Sequence, residues 1–320
     1  MNYKTVSICI PVYNEEKDLE VCLKSITSQD YPKNKIEIII VDDYSTDNTI
    51  KVAKKYGAKV LYNGAKDNET GRKIGFLKAR GELFMCLDAD MRLATTDFLK
   101  KMVYPFLVDK RIAGNFVCFK VNKNQPPLTR CVSYDPFQRD PIYKILTIGP
   151  EKIIKKREKG YYLCYCNKNN IPPQGLFLYR RKLVEDYAKN HKQLTDNEIP
   201  TYIIYSGHHY FAFVPETGIE HMLIRSLKEL WRKRKRNIRI YSTIVETRKF
   251  RWFSFKKDWP KAALWMTYTN SFILPILTAI YKTLKYKDTA FLSEPALNLV
   301  STYSIVYSII SSGSMFKVLR

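Results

Sequence analysis

Residues 82–90 read ELFMCLDAD, an apolar run that ends in two carboxylates, Asp88 and Asp90, one residue apart. The run over 82–87 predicts a buried strand, and open α/β sheets bind their ligands at the carboxyl ends of such strands. Carboxylates this close repel each other unless a cation lies between them, and Mg²⁺ or Mn²⁺ with a substrate diphosphate is the usual arrangement. The same residues also fit a loop that caps the next helix, and only the rest of the sequence can distinguish a cation site from such a loop.

Strand and helix patterns alternate on both sides of this motif. Short apolar runs predict four strands, at 5–12 (TVSICIPV), 36–41 (IEIIIV), 59–61 and 82–87. Amphipathic or capped segments predict helices at 14–28, 49–56, 72–80 and 95–103. This alternation predicts an α/β fold with a mostly parallel, Rossmann-like sheet flanked by helices.

The alternation ends after about residue 110. Further strands are predicted at 116–121, 175–179 and 210–214, and helices at 182–189 and 226–236. The second of these helices is strongly basic. The irregular stretch 122–174 is long enough to form a lid or an insertion that binds an acceptor.

Charge restricts the class of partner. The 320-residue chain has 54 Lys and Arg against 31 Asp and Glu, a formal net charge of +23. Such an excess indicates nucleic acid, a phosphate-bearing substrate or an anionic membrane surface. The basic residues peak at 152–159 and 225–239, and the second peak precedes apolar C-terminal segments, which favours a membrane.

Seven cysteines without a CxxC pair argue against a zinc framework and suit a reducing compartment.

Two apolar stretches near the C-terminus, 262–284 and 297–316, each have about the 20 residues that cross a bilayer. Basic residues at 249–261 precede the first stretch and Lys317 and Arg320 follow the second, which predicts a hairpin with both ends cytoplasmic. Polar residues interrupt these stretches, so helices that lie in the membrane interface or a soluble helical cap remain as alternatives to a membrane-spanning hairpin. No signal-peptide pattern precedes the first strand, so we expect a membrane-associated protein whose catalytic part is cytoplasmic.

Four polar clusters lie at the ends of predicted elements: 13–15 (YNE), 42–43 (DD), 88–90 (DAD) and 195–198 (TDNE). Their order resembles that of the family 2 inverting glycosyltransferases with the GT-A fold. The matching segments are 10–15 (IPVYNE), 41–47 (VDDYSTD), 79–82 with 87–90 (ARGE, LDAD), 175–181 (GLFLYRR) and 195–198 (TDNE). The resemblance implies a GT-A catalytic domain at 1–240, with a nucleotide-binding half at 1–110 and an acceptor-binding half at 111–240. A membrane-associated helical region at 241–320 would follow.

The resemblance also implies roles for individual residues. The donor nucleotide would be held by Pro11, Tyr13, Glu15, Asp43, Arg72 and Asp88. A divalent cation, Mn²⁺ or Mg²⁺, would be bound by Asp90, with Asp88 and His221 beside it, although His221 also fits a purely structural role. Three further residues would lie near the diphosphate or the acceptor: Gln174, Gly175 and Arg225.

Asp196 takes the place of the family's general base, which removes the proton of the acceptor hydroxyl. Such a base typically accelerates transfer about 10²–10⁴-fold. Thr195 stands where the family usually has Glu, and Pro200 is expected to interrupt the helix that normally follows. These departures leave Glu198 as an alternative base.

The implied activity is transfer of a sugar from a nucleoside diphosphate sugar to a glycan or lipid-linked acceptor. A non-catalytic scaffold with the same fold and a basic nucleic-acid-binding protein remain as alternatives. Acids clustered at strand ends oppose nucleic-acid phosphates, so we expect no nucleic-acid partner. A nucleotidyltransferase would need a Gly-rich phosphate loop after the first strand, and residues 12–15 do not provide one.

Overall fold

The computed structural model describes residues 3–65, 67–139, 144, 149–173, 177–196, 198–244 and 255–311. These residues form two compact units. Unit 1 comprises Met1–Lys120 and Pro150–His221, and unit 2 comprises Val121–Gly149 and Met222–Arg320. The expected domain boundaries near residues 110 and 240 stay predictions.

Unit 1 is built on one sheet. Its strands are β1 Val6–Val12, β2 Ile36–Asp42, β3 Lys59–Tyr62, β4 Leu83–Cys86, β5 Met91–Leu93, β6 Gly114–Phe119, β7 Ile154–Glu158, β8 Tyr161–Tyr165, β9 Leu178–Arg180 and β10 Tyr210–His221. Their order across the sheet is β3–β2–β1–β4–β9–β6–β10–β8–β7, and β5 pairs with the end of β10. The α/β class is confirmed.

The sheet is mixed, so the expectation of a mostly parallel sheet holds only for β1 to β4. Those four strands are mutually parallel, as is the pair β6 and β10. The remaining pairings, which involve β5, β7, β8 and β9, are antiparallel. A tight turn explains one of them, because Gly160 has φ of +80° between β7 and β8 and closes a hairpin.

Strand β10 is 12 residues long and changes its pairing along its length. Its first part pairs with β6 and β8, and its last three residues pair with β5. Between Val214 and Gly218 the register against β6 shifts, as in a β-bulge. The strand thereby reaches from the middle of the sheet to the turn that follows Asp88 and Asp90.

The described helices are α1 Glu16–Thr27, α2 Thr49–Lys55, α3 Asn68–Lys78, α4 Phe98–Val108, α5 Pro127–Ser133, α6 Glu185–Asn190, α7 Glu198–Tyr205, α8 Leu227–Ile244, α9 Phe255–Asn270, α10 Ile273–Tyr286 and α11 Glu294–Ser311. Of these, α5 and α8 to α11 belong to unit 2. The apolar stripe predicted for α1 is confirmed, since Leu19, Cys22, Leu23 and Ile26 are buried. They join one core with the sheet residues Ile8, Ile10 and Leu83 and with α4.

Helix α3 lies close against β1 because Gly75, in the second half of the helix, has no side chain. A Cβ atom on Gly75 would lie 2.2 Å from Cys9 Sγ and 3.3 Å from Val41 Cγ2. The side chain of Asp67 caps the helix by accepting from Thr70 N. The cap and the close approach together fix the position of the first turns of α3, where Arg72 lies.

We expect Gly75→Ala to lower the free energy of unfolding by about 1–2 kcal/mol. Overpacking a core site costs about 1–3 kcal/mol, and the better helix propensity of alanine returns less than about 1 kcal/mol. Denaturant unfolding of unit 1 measures the change. Gly64→Ala is the matched control, because its Cβ would meet only Tyr44, at 3.9 Å. Equal stability of the two variants would contradict the close approach.

Unit 2 is helical. Val132 of α5, Leu230 of α8 and Leu297 of α11 share a small core with Ile224. The basic helix predicted at 226–236 is confirmed as α8. The apolar stretch 262–284 forms two helices rather than one, since α9 ends at Asn270 and α10 begins at Ile273.

The prediction of membrane-spanning helices is not confirmed. Among the described residues no single helix has both the length and the apolar character to cross a bilayer. Asp258–Asn270 and Ile273–Tyr286 satisfy the criteria only when taken as a pair, and the two segments are bent by 81°. Residues 245–254 and 312–320 lie outside the described residues, and with them most of the flanking basic residues.

Candidate functional site

The predicted site residues of unit 1 lie where β2, β1 and β4 end side by side. Val12 pairs with Asp42, and Cys9 pairs with Cys86. The loops that follow are joined by backbone hydrogen bonds from Asp43 N to Val12 O and from Leu87 N to Cys9 O, each 3.0 Å long. Because parallel strands end at one edge, the loops after all three strands meet there.

Polar side chains hold the loops after β1 and β2 together. Asn14 N donates to Ser45 Oγ at 2.9 Å, and Thr46 N donates to Asn14 Oδ1 at 2.7 Å. Asp42 accepts from Ser45 N at 3.0 Å, which closes the second loop. These bonds fix the backbone just before Glu15 and on both sides of Asp43, two of the residues expected at the nucleotide.

Two tyrosine rings stand out from this pair of loops. Tyr13 is 55% exposed and Tyr44 is 62% exposed. Tyr44 has φ of +63°, a left-handed backbone that is unusual for a bulky residue, and its ring stacks on Tyr62 with centroids 5.6 Å apart. Asp43 beside it is buried. The loops therefore offer aromatic faces next to a carboxylate. Tyr44 was not anticipated, since only its backbone angle distinguishes it.

Asp88, Asp90 and His221 form a three-residue cluster. One possible ligand atom from each residue lies within 4.8 Å of the others. The pairing of His221 with Met91 at the end of β10 brings the imidazole beside Asp90, and Nε2 lies 3.4 Å from Asp90 Oδ1. The ring also packs on Phe119, with centroids 5.6 Å apart.

These three residues fit a divalent cation. Asp90 Oδ1 is buried and accepts no hydrogen bond from the described residues. A buried carboxylate oxygen without a donor is costly, and a cation removes that cost. Two carboxylates and one imidazole are a donor set that Mn²⁺ or Mg²⁺ accepts. The cluster could therefore hold the cation that the sequence predicts.

Arg72 links this cluster to Asp196. Its Nη2 donates to Asp88 Oδ1 at 2.8 Å, and its Nη1 lies 2.6 Å from Asp196 Oδ2. Burial disfavours the charged guanidinium, but Asp196 and Asp88 outweigh this and hold the pKa of Arg72 well above its usual range. One buried cation thus holds two carboxylates that the sequence assigned to different tasks.

Asp196 reaches Arg72 because the segment before it is attached to α3. Leu194 N donates to Glu69 O at 3.0 Å, and Lys73 Nζ donates to His191 O at 2.7 Å. Desolvation raises the pKa of Asp196 to about 6; Arg72 opposes the rise, whereas Asp88 and Glu69 add to it. The side chain is still 36% exposed, so a substrate could reach it.

The helix after Asp196 is intact, so the expected interruption at Pro200 is wrong. Helix α7 runs from Glu198 to Tyr205 with Pro200 in its first turn. The N–H groups of a first turn have no partner within the helix, and proline is tolerated there. Glu198 begins this helix, whereas Asp196 forms the ion pair with Arg72. The choice between them as base stays a prediction.

The roles expected of Gln174, Gly175 and Arg225 stay predictions. Gln174 and Gly175 lie outside the described residues. Arg225 belongs to unit 2, where its backbone N–H donates to Glu229 Oε2 at 2.8 Å.

Tyr179 was missed by sequence reasoning: its hydroxyl is buried without a partner among the described residues. Burial, followed by Cys86 and Asp196, raises the pKa of this hydroxyl.

Comparison with known proteins identifies the family. Residues 7–188, more than half of the chain, match the model of Glycosyl transferase family 2. Glycosyltransferase AglE of Haloferax volcanii is 33% identical over 91 residues, which cover 27% of this chain and 30% of AglE. The dolichyl N-acetyl-alpha-D-glucosaminyl phosphate 3-beta-D-2,3-diacetamido-2,3-dideoxy-beta-D-glucuronosyltransferase of Methanococcus voltae is 36% identical over 110 residues, 32% of this chain and 33% of that protein. The chain thus matches about a third of the length of these relatives.

Solved structures agree on the fold. The mannosyltransferase PcManGT from Pyrobaculum calidifontis, in complex with GDP-Man and Mn²⁺, has a TM-score of 0.55 at 16% identity, covering 96% of this chain and 88% of PcManGT. Residues 1–349 of TarS from S. aureus have a TM-score of 0.51 at 14% identity, covering 97% of this chain and 92% of that one. The chain belongs to glycosyl transferase family 2 and has its GT-A-like α/β fold.

Proposed function

We propose that this chain is an inverting glycosyltransferase that uses a nucleoside diphosphate sugar and a divalent cation. The observation that carries the proposal is the buried Arg72, which connects the cluster of Asp88, Asp90 and His221 to Asp196 at the carboxyl edge of the sheet. A candidate base and a candidate cation site thus lie on either side of one guanidinium, and positive groups of this kind stabilise the charge that develops on a departing diphosphate.

The residues would divide the reaction as follows. Asp196 accepts the proton of the acceptor hydroxyl while that oxygen bonds to the anomeric carbon. The bond from the anomeric carbon to the diphosphate oxygen breaks, and its electron pair leaves with the nucleoside diphosphate. Arg72 would stabilise the charge on that leaving group. A divalent cation held by Asp88, Asp90 and His221 would neutralise the same charge.

Membrane association is the second part of the proposal. The acceptor would be a glycan or a lipid-linked molecule, and unit 1 would work at the cytoplasmic side of a membrane. Support comes from the named substrate of the Methanococcus relative, a dolichyl-linked sugar phosphate. The basic helix α8 and the exposed apolar side chains of α10 point the same way. All seven cysteines are free, which agrees with a reducing compartment.

Nucleotide binding by calorimetry tests the donor site. UDP, GDP and CDP are titrated into the full chain with and without Mn²⁺. We expect one nucleotide to bind, and we expect binding to weaken at least tenfold without the metal and in Asp90→Ala. The matched control is Asp186→Ala, an exposed carboxylate on α6.

Each alternative has its own outcome in this experiment. If folded protein binds none of the three nucleotides, the donor site is wrong and the scaffold hypothesis replaces it. Tight binding of single-stranded nucleic acid under the same conditions would favour the nucleic-acid hypothesis. Binding that is strong, metal-independent and unchanged in Asp90→Ala would keep the donor but remove the cation from the proposal.

A further inference from the structure

Helix α10 of unit 2 has two opposite faces. One stripe, with spacing i, i+4, i+7 and i+11, points into the unit: Pro275, Ala279, Lys282 and Tyr286. Pro275 and Ala279 in it are buried. A second stripe consists of the residues two positions earlier in each case: Ile273, Leu277, Ile280 and Leu284. Two residues correspond to about 200° of rotation on a helix, so the stripes lie back to back.

The outward stripe of α10 is apolar along its whole length. Its four side chains are between 45% and 73% exposed. Leu274, Ile276 and Tyr281 beside them are exposed too. Soluble proteins rarely leave a contiguous apolar surface of this kind uncovered, because its contact with water is unfavourable. The exposed Tyr281 and Trp259 are of the type that lies at membrane–water interfaces.

Two residues of the inward stripe, Lys282 and Tyr286, line a cavity of about 60 Å³. Three cationic side chains line it: Arg139, Lys144 and Lys282. The rings of Tyr134, Tyr286 and Phe291 line it as well. Lys282 Nζ donates to the buried Glu294 at 2.5 Å, while the other oxygen of Glu294 has no partner among the described residues. The cavity therefore offers N–H donors and aromatic faces, together with one carboxylate oxygen of Glu294 that lacks a donor.

Positive charge is in excess around this cavity. Arg139 and Lys144 share one carboxylate, Asp135, at 3.2 and 3.7 Å. On the neighbouring side, Lys123 and Arg130 share Asp288, at 2.8 and 2.9 Å. Each shared pair has one cation more than it has carboxylates. Lys285 and Lys287 add exposed charge at the end of α10. An anionic group is the natural ligand of such a wall.

We propose that this cavity binds the phosphate of an anionic phospholipid headgroup while the outward stripe of α10 lies among the acyl chains. Unit 2 would then rest in one leaflet of the membrane without crossing it. The proposal rests on the membrane part of the proposed function and deepens it by naming the lipid class and the residues. The charge favours an anionic lipid as the ligand. The apolar stripe ends in lysines and lies on the same helix as Lys282, one of the cationic side chains that line the cavity, and this combination matches an anionic leaflet.

The test is co-sedimentation of the full chain with vesicles. One set is pure phosphatidylcholine, and the other contains phosphatidylcholine and phosphatidylglycerol at 7:3. We expect at least tenfold tighter binding to the second set. The double variant Arg139→Gln with Lys144→Gln should bind the anionic vesicles about 25-fold more weakly, since each basic residue at an anionic surface contributes roughly fivefold to the affinity. The control, Lys51→Gln with Lys54→Gln, removes the same charge from the exposed face of α2 and should change binding less than twofold.

A second pair of variants separates the two halves of the proposal. Leu277→Ser with Leu284→Ser should weaken binding to both kinds of vesicle at least tenfold. Nucleotide binding by unit 1 should remain in every variant, which distinguishes lost lipid contact from misfolding and from failure of the donor site. Competition by 10 mM inorganic phosphate reports whether the cavity takes free phosphate as well.

Three results would overturn the proposal. The first is equal affinity for the two vesicle sets. The second is an equal loss in the cavity variant and in the α2 control, because charge alone would then account for binding. The third is a dimer in solution that Leu277→Ser with Leu284→Ser disperses while vesicles are not bound, because the outward stripe would then cover a second copy of the chain.

Discussion

Asp196→Asn is expected to lower the rate of sugar transfer about 10²–10⁴-fold while nucleotide binding persists. Asparagine keeps the shape of the side chain but accepts no proton from the acceptor. The measurement is the release of nucleoside diphosphate from the donor sugar with water as acceptor, which requires no knowledge of the natural acceptor. Calorimetry with the nucleotide, on the same variant, shows whether the donor site is intact.

Two variants make this result specific. Asp186→Asn on α6 is the matched control and should retain the full rate, because the side chain of Asp186 is exposed. Glu198→Gln tests the alternative base at the start of α7. A large loss in Glu198→Gln with near-normal activity in Asp196→Asn would transfer the role to Glu198.

Arg72→Met is expected to reduce kcat/KM about 10²–10³-fold, as removal of one donor to a developing charge typically does. A second effect is expected on the pH profile. The pKa of Asp196 is about 6, raised mainly by desolvation and lowered by Arg72. The base must be ionised, so the wild-type rate should fall as the pH drops below about 6. Without Arg72 the pKa rises further, and the acid limb of the profile should move to higher pH.

Arg72→Lys and Lys78→Met complete this experiment. Lysine keeps the charge but has a single donor nitrogen, so it cannot place a separate nitrogen on each of Asp88 and Asp196 as the guanidinium does, and we expect an intermediate rate. Lys78 is exposed on the same helix, and its loss should leave both the rate and the profile unchanged. If the acid limb lies at the same pH in Arg72→Met and in the wild type, the ionisation that the profile reports is not that of Asp196.

The parts of the fold that sequence reasoning predicted are those with a local signal. The strands β1, β2 and β4 are short apolar runs, and α1 has a clear helical stripe, so each can be recognised without its neighbours. The strands β5 and β7 could not be recognised in this way. Met91–Leu93 is too short to show a period, and Ile154–Glu158 is a largely charged edge strand. Both are strands only because β10 and β8 pair with them.

The same distinction applies to the site. Asp88 and Asp90 are separated by one residue, Ala89, so their motif is visible in the sequence. The ion pair between Arg72 and Asp196 joins α3 to a segment far along the chain, and no local pattern announces it. The bend after Asn270 is a similar case: residues 262–284 have the composition of one long helix, yet Phe272 has φ of +55° and the chain turns there.

The register shift in β10 between Val214 and Gly218 determines which side chain meets Asp90. Side chains on a strand alternate between its two faces, so the number of residues in this shift decides whether His221 or a neighbour points at the acids. Insertion or deletion of one residue within 215–217 would place Glu220 or Met222 beside Asp90 in place of His221, although Asp88 and Asp90 themselves would be unchanged. The length of this short segment is therefore as much a determinant of the proposed chemistry as the acids themselves.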